Sequence, residues 1–338
     1  MRHTKSGAGR RKEGSRHAAT KTKAEMRPGR ASRSSAKGTL ARASSAVDRG
    51  ASRSGSRGAP KTSWKLRFAA PLGFPGLDRP HFLHSLGTAD PAEQIAYLAE
   101  LGFAGVQDNN LKQRGREEQE RIGRALEKHG LEMGCFVDSS KFDLFWGRND
   151  KATQELMRKR ILESIEVARR VNGRNIVVST PRDPLVPVWQ ETANMVDNLR
   201  RMAPLVEKAG MVMCLEHIWA ARVPGLLMHH LGDAFLLARA VDSPAVKLVF
   251  DTVHVQGADG ELLGNLARVW DEVGVVQIGD VPARLEPGTG EINFTSFFRK
   301  LRDGGYDGLV ELEHNFSQPG KEGEQAALRA LQAIDAAV

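Results

Sequence analysis

From residue 65 onward the apolar positions of the chain switch back and forth between two patterns, and the alternation predicts the architecture. Short, nearly continuous apolar runs, "LRFAA", "AGVQ", "EMGCFV", "NIVVST", "MVMCLE", "VKLVFD", "VVQIGD" and "LVELE", read as strands covered on both faces. Between them apolar residues recur at helical spacing: Met157, Ile161, Ile165 and Ala168 in one segment, Val196, Leu199, Ala203 and Val206 in another, Leu262, Leu266, Val269 and Val273 in a third. Gly102, Gly130, Gly173, Gly210, Gly274 and Gly305 each stand between a helical stretch and the next run, where a helix is expected to end on a left-handed residue. Strands that alternate with amphipathic helices imply a parallel sheet. Eight such units predict an α/β protein of the (β/α)8 TIM barrel type, a fold of about 250 residues. An open doubly wound sheet fits less well: the first unit lacks a GxGxxG turn, and polar residues close several strands instead of gathering at one switch point.

Charge separates this region from what precedes it. Residues 1–64 hold 17 Lys and Arg against 3 Asp and Glu, leaving 32 basic and 38 acidic residues in 65–338. The basic balance of the whole chain therefore belongs to an Arg-, Ser- and Ala-rich tail with almost no large apolar side chains, which is expected to be disordered. A basic tail can bind nucleic acid through phosphates; a solvated extension, or upstream sequence included by a misassigned start, explains it equally simply. Nucleic acid is not an expected partner of the mildly acidic barrel. Arg10-Arg11 is followed by no apolar export segment, and no stretch is long enough to span a bilayer, so the expected compartment is the cytoplasm, with no membrane partner. Cys135 and Cys214 lie in separate apolar runs without CxxC spacing and are expected to be free core thiols.

In a barrel of this kind the active site lies at the C-terminal ends of the strands. Here the fifth run ends at Glu216, the sixth at Asp251, the seventh carries Gln277, and the eighth ends at Glu313. Three carboxylates crowded together repel unless protons or a cation relieve them. An oxygen-rich set of this kind suits Mg²⁺ or Mn²⁺ better than zinc. As isolated residues each could equally be an ordinary polar strand end or an arginine's ion-pair partner. His254, three residues after Asp251, can enter the mouth as a proton carrier or substrate donor, or simply cap a helix. His217 and His314 each follow a proposed ligand and, by strand alternation, should point away from it. Glu311 shares the phase of Glu313 one layer deeper, where it needs a partner such as Arg67 or a backbone donor. The segment "QIGDVPARLEPGTGEINF" (277–294) runs from Gln277 into a polar loop with Asp280, Arg284, Glu286 and Glu291. Lying over the same mouth, it offers Arg284 for a substrate carboxylate or phosphate, and Glu291 for substrate contact unless "PGTG" is only a surface turn.

These motifs resemble the xylose-isomerase-like barrel superfamily, and within it the hydroxypyruvate isomerase family. "FDTVHVQ" at 250–256, "VQIGDVPARLEPGTGEINF" at 276–294 and "YDGLVELEH" at 306–314 carry the resemblance, with "LRFAAPLG" at 66–73 similar to the family's first strand. It extends over residues 65–338 and omits the tail. The resemblance implies metal ligands at Glu216, Asp251, Gln277 and Glu313 and a proton-transferring pair at Glu216 and Glu313. Two stretches depart from the pattern: Gln107 stands where the superfamily usually has Glu, and "HIWAARVPG" follows Glu216. The implied reaction is a metal-dependent aldose–ketose isomerisation of a small hydroxy-keto acid, hydroxypyruvate to tartronate semialdehyde. Epimerisation of a sugar or keto acid on the same metal site is the alternative. Cleavage of damaged DNA would call for more histidines at the strand ends. A non-catalytic sugar-acid-binding barrel is the remaining reading, and a homo-oligomer is compatible with all of them.

Overall fold

The computed structural model describes residues 63–139 and 141–338, and the tail read from the sequence lies outside the described residues up to position 62. Trp64, placed with the tail above, packs edge-on against Phe68 and donates its indole N–H to the Leu101 carbonyl at 3.1 Å. Nine short strands follow: β1 (Phe68–Pro71), β2 (Gly105–Gln107), β3 (Glu132–Met133), β4 (Phe136–Val137), β5 (Asn175–Val178), β6 (Val212–Leu215), β7 (Val246–Asp251), β8 (Val273–Ile278) and β9 (Val310–Leu312). All pair in parallel, in the order β3-β2-β1-β9-β8-β7-β6-β5-β4.

The terminal members of that order, β3 and β4, are two halves of the single run "EMGCFV". Its first half pairs Met133 with Val106 of β2, and its second half pairs Phe136 with Ile176 of β5. The Gly134 N–H still reaches the Val106 carbonyl at 2.7 Å, and the Asp138 N–H reaches Val177 at 3.0 Å. One run thus joins both ends of the sheet and makes the expected TIM barrel. Gly134 sits at the changeover because a Cβ there would fall on the Glu311 carboxylate and press on the Val106 carbonyl.

The helices are α1 (Leu83–Leu86), α2 (Pro91–Glu100), α3 (Arg116–His129), α4 (Lys151–Val171), α5 (Val188–Lys208), α6 (Leu231–Val241), α7 (Thr252–Ala258), α8 (Leu262–Val269), α9 (Phe294–Asp303) and α10 (Gly320–Ala336). Helix α4 shows how sequence sets an element. Asp150 caps its start by accepting from the Thr153 N–H at 2.9 Å, and Met157, Ile161, Ile165 and Ala168 form one buried stripe. Each such large side chain contributes about 1.5–3 kcal/mol on burial. The helix ends on Asn172 in the left-handed region, one residue before the glycine expected to do so. Gly274 departs further: it lies inside β8, where a Cβ would press on Cys214 and Lys247, and Val273 opens that strand rather than closing α8. None of the described helices is long and apolar enough to cross a membrane.

Alternation along the strands divides the interior into two cores. Outward residues such as Met213, Leu215, Leu248, Phe250, Val276, Ile278, Val310 and Leu312 join the helices in the large core. Inward residues Cys135, Val177, Cys214, Val249 and Val275 fill the lumen, and both cysteines are free and buried. The next inward positions toward the C-terminal ends are the polar ones.

Candidate functional site

Period-two alternation carries Glu216, Asp251, Gln277 and Glu313 to the mouth of the lumen, above the apolar plug. All four are nearly buried. Asp251 ends β7 and also caps α7, accepting from the Val253 N–H at 2.7 Å. That cap fixes the first turn of α7, which brings His254 over the carboxylates: its Nε2 lies 3.5 Å from Asp251 Oδ2 and 3.8 Å from Glu216 Oε1. One ligand-type atom each from Glu216, Asp251 and His254 lie within 4.8 Å of one another. His217 and His314 turn outward as alternation requires. The His314 ring packs on His81 and Phe316, and His217 is buried behind the site, 4.0 Å from Asp259.

The loop after β8 delivers Arg284 into the middle of the acids. Its Nη2 donates to Asp251 Oδ2 at 2.9 Å and lies 3.1 Å from Glu313 Oε2. Nη1 reaches His254 Nε2 at 3.0 Å, and Nε donates to the Glu313 carbonyl at 3.1 Å. Arg284 itself has a left-handed backbone, φ 58°. The loop is held in that shape by Asp280, whose carboxylate accepts from the N–H groups of Val281, Gly288, Gly290 and Ile292 at 2.8–3.0 Å. Glu286 ties the same loop to Ser317, accepting from its N–H at 2.8 Å and from its hydroxyl at 2.5 Å. Asp280 and Glu286 therefore build the loop rather than the mouth. Glu291, expected to touch substrate, is exposed and faces a separate depression shared with Gln256 and Asn293.

Electrostatics follow from this crowding. Burial, with Glu313 and Asp251 alongside, pushes Glu216 well above the usual carboxylate range. Burial also raises Glu313, against the opposing pull of Arg284 and of Asn109, whose Nδ2 donates to Glu313 Oε1 at 2.8 Å. Asp251 is buried too, but Arg284 and His254 more than offset that cost and hold it low. His254 is driven down to about 3, first by burial, so the imidazole is neutral.

One layer below, Glu311 finds the backbone donor it was expected to need: its Oε1 accepts from the Cys135 N–H at 2.7 Å, and its Oε2 accepts from the Cys135 thiol at 2.8 Å. Arg67 pairs instead with Glu132 at 2.6 Å, away from the lumen. Gln277 Nε2 faces Glu311 Oε2 at 3.3 Å and Gln107 Oε1 at 3.4 Å. Its own oxygen, Oε1, is buried with no hydrogen-bond partner, whereas Glu313 Oε2 has the Arg284 ion pair at 3.1 Å.

The orphaned Gln277 oxygen tests whether a divalent cation fits. Three carboxylates meet a single guanidinium, and the buried Gln277 oxygen lacks the partner that buried polar groups normally find. A hard divalent ion at Glu216, Asp251 and His254, with Gln277 and Glu313 as further oxygen donors, would answer both deficits. Over this group opens a cavity of about 440 Å³, whose walls include Phe74, Asn109, Phe142, Ser179, Ile218 and Arg222. Asn109 and Arg222 escaped the reading of the sequence. Asn109 stood at a polar strand end like the acids, whereas Arg222 gave no signal apart from its place in the unusual "HIWAARVPG" stretch.

Fold and comparisons agree on the class. Residues 95–336 match the family described as xylose isomerase-like TIM barrel, and the chain belongs to that family. Within it, the chain is 30% identical over 162 residues to a protein of Escherichia coli named hydroxypyruvate isomerase, covering 48% of this chain and 63% of that one. It is also 30% identical over 161 residues to 2-oxo-tetronate isomerase of Pectobacterium atrosepticum, covering 47% and 61%. The aligned regions thus span less than two thirds of either relative's length. Among solved structures, AP endonuclease, family 2, of Brucella melitensis superimposes with a TM-score of 0.65 at 24% identity, covering 76% of this chain and 96% of that one, a likeness of fold.

Proposed function

We propose that this protein is a divalent-metal-dependent isomerase of small hydroxy-keto acids that converts hydroxypyruvate to tartronate semialdehyde. The observation that carries the reading is the convergence of Glu216, Asp251, Gln277 and Glu313 on one mouth, with the Gln277 oxygen buried and unpartnered. The names of the two curated relatives support the reaction class. Mg²⁺ or Mn²⁺, held by those four residues, would supply Lewis acidity to the carbonyl and hydroxyl oxygens of the substrate.

The chain's own part is proton traffic. One member of the Glu216/Glu313 pair takes the proton from C3 of hydroxypyruvate, leaving a C2–C3 enediolate; the other returns a proton to C2, while the hydroxyl proton passes from O3 to O2. Atoms balance, and no electron acceptor is needed. Reversibility requires one glutamate ionised and one protonated at the start, a state favoured by two raised carboxyls in mutual repulsion. His254, neutral and within 4 Å of both Glu216 and Asp251, can donate to or accept from a substrate hydroxyl. Phe74, Phe142 and Ile218 give the cavity an apolar wall, which would limit the water that reaches the intermediate.

The test is to incubate Mg²⁺- or Mn²⁺-loaded protein with hydroxypyruvate in D₂O and follow product and carbon-bound deuterium by NMR, with Glu313→Gln as control. Metal-dependent tartronate semialdehyde, lost in the variant, is the expected result; no product and no exchange would reject this substrate. A cavity of about 440 Å³ has room for more than three carbons. That favours, as a second reading, a four-carbon or longer keto acid or its epimer on the same residues, detected by extending the panel of substrates.

A further inference from the structure

The charge inventory of the mouth leaves one cation without an acid. Glu216, Asp251 and Glu313 face Arg284, which is committed to Asp251, His254 and Glu313. A carboxylate entering a nearly buried site among three acidic side chains needs its own counter-charge. Arg284, assigned that task from sequence alone, is already spent on the protein's acids.

Arg222 stands at the rim of the same cavity, in the loop between β6 and α6. Its Nη2 donates to the Pro282 carbonyl at 2.8 Å, which orients the guanidinium toward the loop that carries Arg284. Among the described residues no carboxylate forms an ion pair with it. Partial burial and the nearby Arg284 charge lower its pKa, and the Asp251 charge opposes them only in part. The remaining nitrogens of the fork are available for a bidentate carboxylate contact.

We propose that Arg222 is the substrate-carboxylate anchor of this site, and that it makes the protein selective for hydroxy-keto acids over neutral sugars of the same length. The proposal rests on the isomerase reading for its site and deepens it by naming which end of the substrate each cation holds. The carbonyl and hydroxyl oxygens lie over the strand-end acids, and the terminal carboxylate lies at the rim. The same arrangement takes a three- or four-carbon acid, because extra carbons extend away from the carboxylate along the apolar walls.

Glycerate and glycerol form a matched inert pair, differing only in a carboxylate against a hydroxymethyl group, and neither can enolise. Their affinities for the Mg²⁺-loaded full chain are measured by NMR titration in the wild type, Arg222→Gln and Arg222→Lys, with thermal unfolding as a check of folding. The wild type should prefer glycerate. Arg222→Gln should lose roughly 10- to 100-fold of glycerate affinity, the scale of a lost charge-assisted bidentate contact, with a much smaller change for glycerol, and Arg222→Lys should fall between. Equal glycerate affinity in wild type and Arg222→Gln, or a wild type with no preference for glycerate, overturns the proposal. The two readings fail separately: glycerate selectivity without any turnover of keto acids leaves the anchor standing and removes the isomerase, whereas turnover unaffected by Arg222→Gln does the reverse.

Discussion

Glu311 Oε2 lies 3.3 Å from Gln277 Nε2, and the Gln277 oxygen at the other end of the amide has no partner. A glutamine side chain has a donor end and an acceptor end, and two acceptors beneath it, Glu311 Oε2 and Gln107 Oε1, hold the donor end down. That leaves the amide oxygen, buried and unpartnered, as the end free to meet a cation. Supports of this kind typically change metal affinity by 10–100-fold when removed. Glu311→Ala should therefore weaken Mn²⁺ binding by about tenfold or more, read by electron paramagnetic resonance titration, while Glu311→Gln, which keeps an acceptor oxygen, should weaken it less. Unchanged Mn²⁺ affinity in the alanine variant would show that Gln277 needs no support from below.

Glu311 also predicts a pH dependence of stability. Burial pushes its pKa up to about 7 in the folded chain, against hydrogen bonds from Cys135 and Gln277 that act the other way. The unfolded value is near a glutamate's ordinary 4.5. A raised folded value means the native state holds its proton longer than the unfolded chain. The associated stability is full below pH 4.5 and is lost as the pH rises toward 7, by about 3 kcal/mol at one pKa unit per 1.4 kcal/mol. Urea unfolding with chelator present should show this decline in the wild type and a flatter profile in Glu311→Gln, which has no proton to lose.

The loop after β8 depends on one glycine. A Cβ at Gly290 would fall on the Val281 carbonyl and on the Asp280 carboxylate that gathers four N–H groups. Gly290→Ala should therefore cost about 2–4 kcal/mol, as backbone clashes in a packed segment do. It should also reduce turnover, because Arg284 is carried by the same loop. Calorimetry and kinetics on the one variant test both. A normal melting temperature with normal kinetics would mean that the loop can re-form around the added methyl group.

How much of this was legible in the sequence depends on the reach of each determinant. The eight strand positions and the inward phase of Glu216, Asp251, Gln277 and Glu313 come from period-two alternation, a local property, and the structure agrees with them. The division of "EMGCFV" into β3 and β4 was not legible, because it arises from pairing with β2 and β5 at the two ends of the sheet. Gly274 was misread as a helix terminator because an apolar strand preceded by a glycine looks the same whether the glycine is outside or inside it. Arg284 was placed at the mouth by its loop, but its engagement by Asp251 and Glu313 depends on contacts across 33 and 29 positions of sequence, which no local pattern encodes. Glu291 shows the converse limit: membership of a motif does not fix which side of a loop a residue faces, and here it faces away.

Asn109 offers the sharpest test of the proton-transfer pair. Its amide donates to Glu313 Oε1 at 2.8 Å, a contact that stabilises the charged carboxylate and opposes the upward push of burial. Replacing it with alanine removes the donor without adding charge, so the Glu313 pKa should rise further. If ionised Glu313 is the base, the acidic limb of the kcat/KM profile should move to higher pH in Asn109→Ala, with activity at high pH largely retained. If Glu313 instead acts in its protonated form in the assayed direction, the basic limb should move up and the acidic one stay. A shift of neither limb, with the variant folded and metal-loaded, would remove Glu313 from proton transfer and leave it as a ligand alone.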